Sequence, residues 1–429
     1  MTQPPIPAPA RRHSLAPTQP RTGLPAWVVV VLVVAIGLNL RASLGSVPPL
    51  LDDINEDLHL SNTAAGLLTS LAVVCMGLCA PLGQKLGARI GAELATGWAM
   101  VVLAIAGLVR LVPWGSWLLF AAVALAGAAM GAASALMPSL VGHHVPNIRG
   151  LVMGLYSAGL AMGVAIAAGT AVPLEHLLGG WRPALATWGV IAAVAAAGWL
   201  LLTPRLRRST SGHPIDAVVA DHRMPWHSRT AWLVTLFSTS QMVIGFSGLA
   251  WVTPLYVSLG LSRQEAANQF VLFQVVQLAT MLTLPPLTDH TRDRRPLLAF
   301  VLACTVAGIS MLLLDPVGLA VPAMVLFGAG VGGGSTLGLV LIVDSTTSQA
   351  DGARLAAMVL LVAFLAGALG PLVMGVLRDL TGGFTAGYTV MLGLSILMLC
   401  ATVLYRPGRT IEDAGRPAVA ESATQPAHR

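Results

Sequence analysis

Long apolar runs, broken at short intervals by charged or Pro/Gly-rich residues, fill the chain from residue 26 to residue 405. A helix needs about 20 apolar residues to cross the hydrocarbon core of a bilayer. By that measure the pattern predicts twelve spans: 26–50, 63–84, 92–112, 116–141, 150–174, 183–203, 230–258, 265–287, 296–314, 318–343, 354–378 and 385–405. Most joins are short. The exception, 204–229, is a polar, basic linker that divides six spans from six. The expected architecture is an all-α membrane protein with two pseudo-symmetric six-helix bundles, at 26–203 and 230–405. Residues 1–25 read as a disordered cytoplasmic lead-in and residues 406–429 as a cytoplasmic tail. The first apolar run is too long for the core of a cleavable signal and has no small-residue cleavage site, so it counts as a span.

The two sets of six look like copies. Gly127, Gly131 and Ser134 recur 201 positions later as Gly328, Gly332 and Ser335, and "LHLS" at 58–61 recurs at the same shift as "LGLS" at 259–262. Pro81-Leu82 matches Pro286-Leu287, and "GGW" at 179–181 matches "GGF" at 382–384. A parallel repeat of six spans is the plan of a secondary transporter, with its site between the halves near mid-membrane. The GxxxG spacings at 127/131 and 328/332 let helix backbones approach closely, for static packing, for sliding, or for both.

Composition narrows the class further. Of 429 residues 55% are hydrophobic and only 10% charged, where soluble domains carry about a quarter charged residues. Arg110, Arg182, Arg263 and Arg378 fall on one side of the spans and Arg41 within one; the other 19 of the 24 basic residues fall on the opposite side with both termini and the linker. The positive-inside rule makes that second side cytoplasmic, in a bacterial inner membrane. The acidic stretch "DDINEDLHLSN" is then the first outer loop. The net charge of +6 is explained by anionic lipid at the inner leaflet and calls for no nucleic acid. The four cysteines, Cys75, Cys79, Cys304 and Cys400, all lie in apolar segments and read as small hydrophobes. No metal-ligand spacing, G-x-S-x-G or Walker A motif is present, so no enzyme, ATP-driven pump, metal or cofactor is expected.

One charge stands out. Arg41 lies in "VVAIGLNLRASLGSVPPLL", about 4.5 Å outward of the centre of the first span. A central arginine disfavours insertion by about 2.5–3.5 kcal/mol. Asp52 and Asp53 are about 16–18 Å further along a helix, beyond reach. The guanidinium therefore either bonds carbonyls and polar groups of neighbouring helices near Pro48 and Pro49, or meets its partner in the cargo. Its planar fork suits a small anion or a flat polar group with paired acceptors. Candidate companions are Asn39, Gln241, Gln274 and Gln277, whose amides orient a solute without adding charge, and Ser134 with its symmetry mate Ser335. Trp251, Tyr156, Phe273 and Phe364 are candidates to wall a pocket. Proton coupling ordinarily uses an intramembrane carboxylate or His. Here His143 and His144 sit at the cytoplasmic end of span 4 and His176 at the outer end of span 5.

From residue 26 to residue 405 the chain resembles the major facilitator superfamily. Members carry a G-x-L-x-D-R-x-G-R-type element between spans 2 and 3 that latches helices on the cytoplasmic side. Here "APLGQKLGARIG" keeps Leu82, Lys85, Gly87 and Arg89 but has Gln84 where the acid belongs. The second half reads "PPLTDHTRDRR", with Asp289 at the acid and Arg292, Arg294 and Arg295 at the basic positions. The resemblance implies a gating role for Gln84, Lys85, Arg89, Asp289 and Arg292, the first-half latch lacking its charge pair. Leu40, Arg41, Pro49 and Leu50, followed by Ala65 to Leu71, resemble the cyanate and 2-nitroimidazole permease branch. Members of that branch differ in substrate, so the resemblance does not fix the cargo. With Arg41 as its binding charge, the expectation is alternating-access transport of a small anion, weak acid or planar polar solute by a monomer, with co-transport of a proton left open. The alternative is a broader drug–proton antiporter. Such proteins combine a membrane-embedded acid with Gly-Pro in span 5, where this chain has Gly159 and Gly163 without a following proline.

Overall fold

The computed structural model describes residues 25–113, 115–207, 224–289 and 293–405. The expectations for the N-terminal lead-in, the middle of the linker, the C-terminal tail and Arg292 lie outside these residues. The described chain is almost wholly helical. In a bilayer only a helix satisfies every backbone group within its own segment, short of a closed barrel. The first half holds α1 (Ala26–Gly45), α2 (Leu51–Leu58), α3 (Asn62–Ile90), α4 (Ala92–Val109), α5 (Ser116–His144), α6 (Arg149–Leu178) and α7 (Trp181–Arg207). The second holds α8 (Arg229–Ser258), α9 (Arg263–Asp289), α10 (Arg295–Leu314), α11 (Ala320–Asp344), α12 (Gln349–Gly367), α13 (Leu369–Thr381) and α14 (Thr385–Ala401). These elements make twelve membrane-length spans, because α1 with α2, and α12 with α13, each form one interrupted span.

Proline explains both interruptions. Pro48 and Pro49 lack the N–H that would bond Leu44 and Gly45, and their rings crowd those carbonyls. The chain makes a 3₁₀ turn over Pro48–Leu50 and resumes as α2. The acidic stretch expected as an outer loop is thus mostly helix, and the turn comes only at His59, which takes a left-handed φ of 51°. In the second half Pro371 cannot bond Gly367, and α12 gives way to α13 there.

The repeat is visible in the packing. Against α3, Gly127 and Gly131 of α5 meet the backbone of Ala72 and Met76; against α9, Gly328 and Gly332 of α11 meet the backbone of Phe273 and Gln277. Glycines and partners alike are 201 positions apart. A methyl at any of these four glycines would fall 2.2–2.5 Å from a carbonyl oxygen, so the helices meet backbone to backbone. The helix starts repeat too: Ser61 Oγ accepts from Ala64 N and Ser262 Oγ from Glu265 N, both at 3.2 Å. Left-handed Gly179 and Gly382 end α6 and α13 in the two "GG" motifs.

Candidate functional site

The halves meet along two seams, α3 against α12–α13 and α6 against α9. One end of the bundle carries α2 (the α2 face); the other carries the chain ends at Arg207 and Met224 (the linker face). Among the described residues, every hydrogen bond or ion pair joining the halves lies at the α2 face. Asp379, from the end of α13, takes four bonds at the start of α3: from Asn62 N (3.1 Å), Asn62 Nδ2 (2.7 Å), Thr63 N (2.7 Å) and Thr63 Oγ1 (2.6 Å). A carboxylate there satisfies orphan N–H groups and complements the helix dipole. Arg263, at the start of α9, pairs with Asp53 and with Glu175 (2.9 Å), and Gln264 Nε2 donates to Gly169 O (3.3 Å). Close approach continues inward at Gly66 against Pro371 O and ends at Gly77 against Phe364 Cβ. Toward the linker face Gly150 and Gly154 of α6 have nothing within 4 Å of where a Cβ would stand. Among the described residues, the halves are bonded together at the α2 face, and the linker end of α6 stands clear at Gly150 and Gly154.

Arg41 sits where the seams converge. Its guanidinium carbon lies 5.8 Å from the centroid of Phe246, a residue of α8 in the other half. It makes no hydrogen bond or ion pair with any described residue. Tyr156 of α6 lies against α1 at Gly37, one turn before Arg41. Tyr156 Oη donates to Ser134 Oγ at 3.3 Å. Phe246 packs 6.5 Å from Phe364 of α12, in an apolar cluster with Val73 of α3. Arg41, Tyr156, Ser134, Phe246 and Phe364 therefore converge from five helices and both halves: a cation and a phenol beside an aromatic wall.

The other candidates make contacts outside this cluster. Asn39 is two residues from Arg41 and so about 200° around the helix; it is buried in the first half, its Nδ2 donating to Ala35 O at 2.9 Å. Trp251 is fully buried near the α2 face, its indole donating to Pro371 O at 2.9 Å and its ring packing on Phe384. Trp251 thereby braces the α13 kink. Phe273 packs between Phe270 and Phe327 inside the second half. Ser335 bonds Val331 O in its own helix (2.8 Å). Gln274 is buried in α9, and Gln277, half-buried, lends its carbonyl to the contact with Gly332. Gln241 of α8 fills the groove left by Gly334 and keeps both amide atoms without a partner, an incomplete polar site in the second half. Sequence reasoning missed Phe246, which had no polarity or spacing to mark it.

At the linker face Gln84, Lys85 and Arg89 are exposed and make no hydrogen bond or ion pair among the described residues. Of Asp289 only its place at the end of α9 is described. A buried polar pair does stand nearby. Glu93 of α4 and His144 of α5 meet at 3.1 Å, both side chains buried. At a shift of about 201, Arg294 Nε donates to Asp344 Oδ2 at 2.8 Å between the starts and ends of α10 and α11. Each half thus ties its third span to its fourth by a polar pair that includes one carboxylate. Glu93 was not a sequence candidate.

The fold and this central cluster define a two-bundle membrane carrier. The sequence matches the major facilitator superfamily over residues 29–352 and 249–427, and the chain belongs to that superfamily. It is 30% identical to the 2-nitroimidazole transporter of Escherichia coli over 87% of this chain and 95% of that one. To the cyanate transport protein CynX of Escherichia coli it is 29% identical, over 89% and 98%. Among solved structures, the inward open xylose transporter XylE superposes with a TM-score of 0.72 at 16% identity, over 90% of this chain and 98% of XylE. The chain is a multi-pass membrane protein and a transporter by family.

Proposed function

We propose that the protein moves a small anion, weak acid or planar polar solute across the bacterial inner membrane by alternating access, and that Arg41 holds the cargo. The observation that carries this is the state of Arg41: a half-buried cation between two halves, touching an aromatic ring of the far half, with no protein anion or acceptor on it. Burying a charge without a partner is costly, and a solute that supplies the partner recovers that cost. A flat solute stacked on Phe246 and hydrogen-bonded by Arg41 and Tyr156 would touch both halves, as a ligand that drives rocking must. The names of the 2-nitroimidazole and cyanate relatives support this ligand class.

With the linker face cytoplasmic, as the positive charges argue, the latched face is the outer one and the open face looks inward. Asp379 and Arg263 then serve as the outer gate and must release for the opposite state.

The test is uptake into proteoliposomes of cyanate and 2-nitroimidazole as probes, by wild type and Arg41→Gln at matched protein incorporation. Uptake by wild type of at least one, abolished in Arg41→Gln, supports the assignment. Normal uptake by the variant overturns it.

A further inference from the structure

A second arginine is buried more completely than Arg41 and has no part in the central cluster. Arg110 follows the end of α4, at the α2 face, in a position that the charge pattern assigns to an exposed loop. It is instead 4% exposed, turned back into the first half. Its Nη2 donates to Ser43 Oγ at 2.8 Å; Nε and Nη1 are buried and make no hydrogen bond. A guanidinium does not give up its proton inside a protein, so a full positive charge stands there with no carboxylate on it. The neighbouring cation Arg182 has taken the nearby acid, Asp57, at 2.6 Å.

Cavities flank the guanidinium on two sides. The inner one, between α1, α3, α4 and α5, is lined by Ser43, Thr69, Arg110, Ala72, Val123 and Met130 among others, and has room for one water-sized sphere, about 10 Å³. The other runs past Leu58, Leu119 and Trp181 to Arg182, whose side chain is 24% exposed. Ser43 is two positions from Arg41, so it faces the bundle interior when Arg41 faces the seam.

We propose that Arg110, Ser43 and Thr69 form a second site in the first half, which holds one small monovalent anion of about chloride size, reached from the α2 face past Arg182. The unpaired Nε and Nη1 supply two charge-assisted donors, and the two hydroxyls can donate as well. The apolar remainder of the wall excludes larger, hydrated anions such as sulfate. A water alone would leave the charge uncompensated. The bound anion fastens the end of α1 to the end of α4, and the site is independent of the cargo assigned to Arg41.

The test uses the purified full-length protein with chloride and bromide as probes, replaced stepwise by gluconate at constant pH and ionic strength. Thermal unfolding should shift upward saturably with chloride and bromide in wild type and in Arg41→Gln. In Arg110→Gln the half-saturating concentration should rise about tenfold or more. Crystals grown in bromide should show an anomalous peak between Ser43, Thr69 and Arg110, which decides the matter should Arg110→Gln fail to fold. An equal halide response in Arg110→Gln, no response in wild type, or no anomalous peak at that place overturns the proposal.

Discussion

Replacing Asp379 with Ala removes all four hydrogen bonds by which the second half caps α3 of the first. Losing a cap costs a helix about 0.5–2 kcal/mol, and losing a negative charge at its N-terminus about 0.3–1 kcal/mol more. Asp379 is exposed, so solvent screening trims these values. About 1–3 kcal/mol remains, and all of it belongs to the latched state because every bond crosses the seam. A loss of that size moves the ratio of latched to unlatched molecules by about 5- to 150-fold. Spin labels at Glu56 and Thr381, both exposed and on opposite sides of the seam, report the change by pulsed dipolar distance measurement. The background replaces the four native cysteines. Wild type should give one short distance population; Asp379→Ala should add a longer one, with Asp379→Asn between them. Identical distributions in all three proteins would mean that the cap does not hold the face shut.

Three further outcomes follow from the same geometry. Gly163→Ala places a methyl 2.0 Å from Leu38 O, where α6 crosses α1; overpacking of this kind costs about 1–3 kcal/mol. Its thermal unfolding should drop clearly while Gly154→Ala, in open space, should not. Tyr156→Phe keeps the ring against Gly37 but loses the bond to Ser134; uptake should fall about 2- to 12-fold, well short of the loss in Arg41→Gln, and equal losses would show that the phenol matters as much as the cation. His144→Ala and Glu93→Gln, combined in a double-mutant cycle read by thermal unfolding, should couple by about 1–3 kcal/mol through their buried contact; additive effects would deny the pair an energetic role.

Much of the fold was legible because bilayer physics leaves long apolar helices as almost the only solution for such runs. The predicted spans differ from the observed ones chiefly where a helix continues past the membrane, as α3 does to Ile90 and α6 to Leu178. The repeat was legible because its glycines are fixed by backbone contact, and their partners obey the same shift. The "DDINEDL" stretch misled because its polarity marks it as outside the apolar core, yet polarity does not forbid helix; Leu51, just before it, and Ile54 within it are buried. The site was only partly legible. Arg41 stood out by its cost and Phe364 was a candidate wall, but Phe246 is an ordinary apolar residue until two halves bring it to them. Arg110 looked like a loop charge and Glu93 drew no notice, since sequence shows depth along a span and not which way a side chain turns. The bond of Trp251 was hidden for the same reason: its partner, Pro371, is 120 residues away.

The central claim is that Arg41 is completed by the cargo, and ligand-induced stabilisation tests it most directly. Purified wild type, Arg41→Gln and Arg41→Lys are heated with and without small anions, carboxylic acids and nitroheteroaromatics. A solute that raises the wild-type unfolding temperature in a saturable way, has no effect on Arg41→Gln and binds Arg41→Lys more weakly is the predicted result. A solute that is transported and stabilises Arg41→Gln as much as wild type would contradict it.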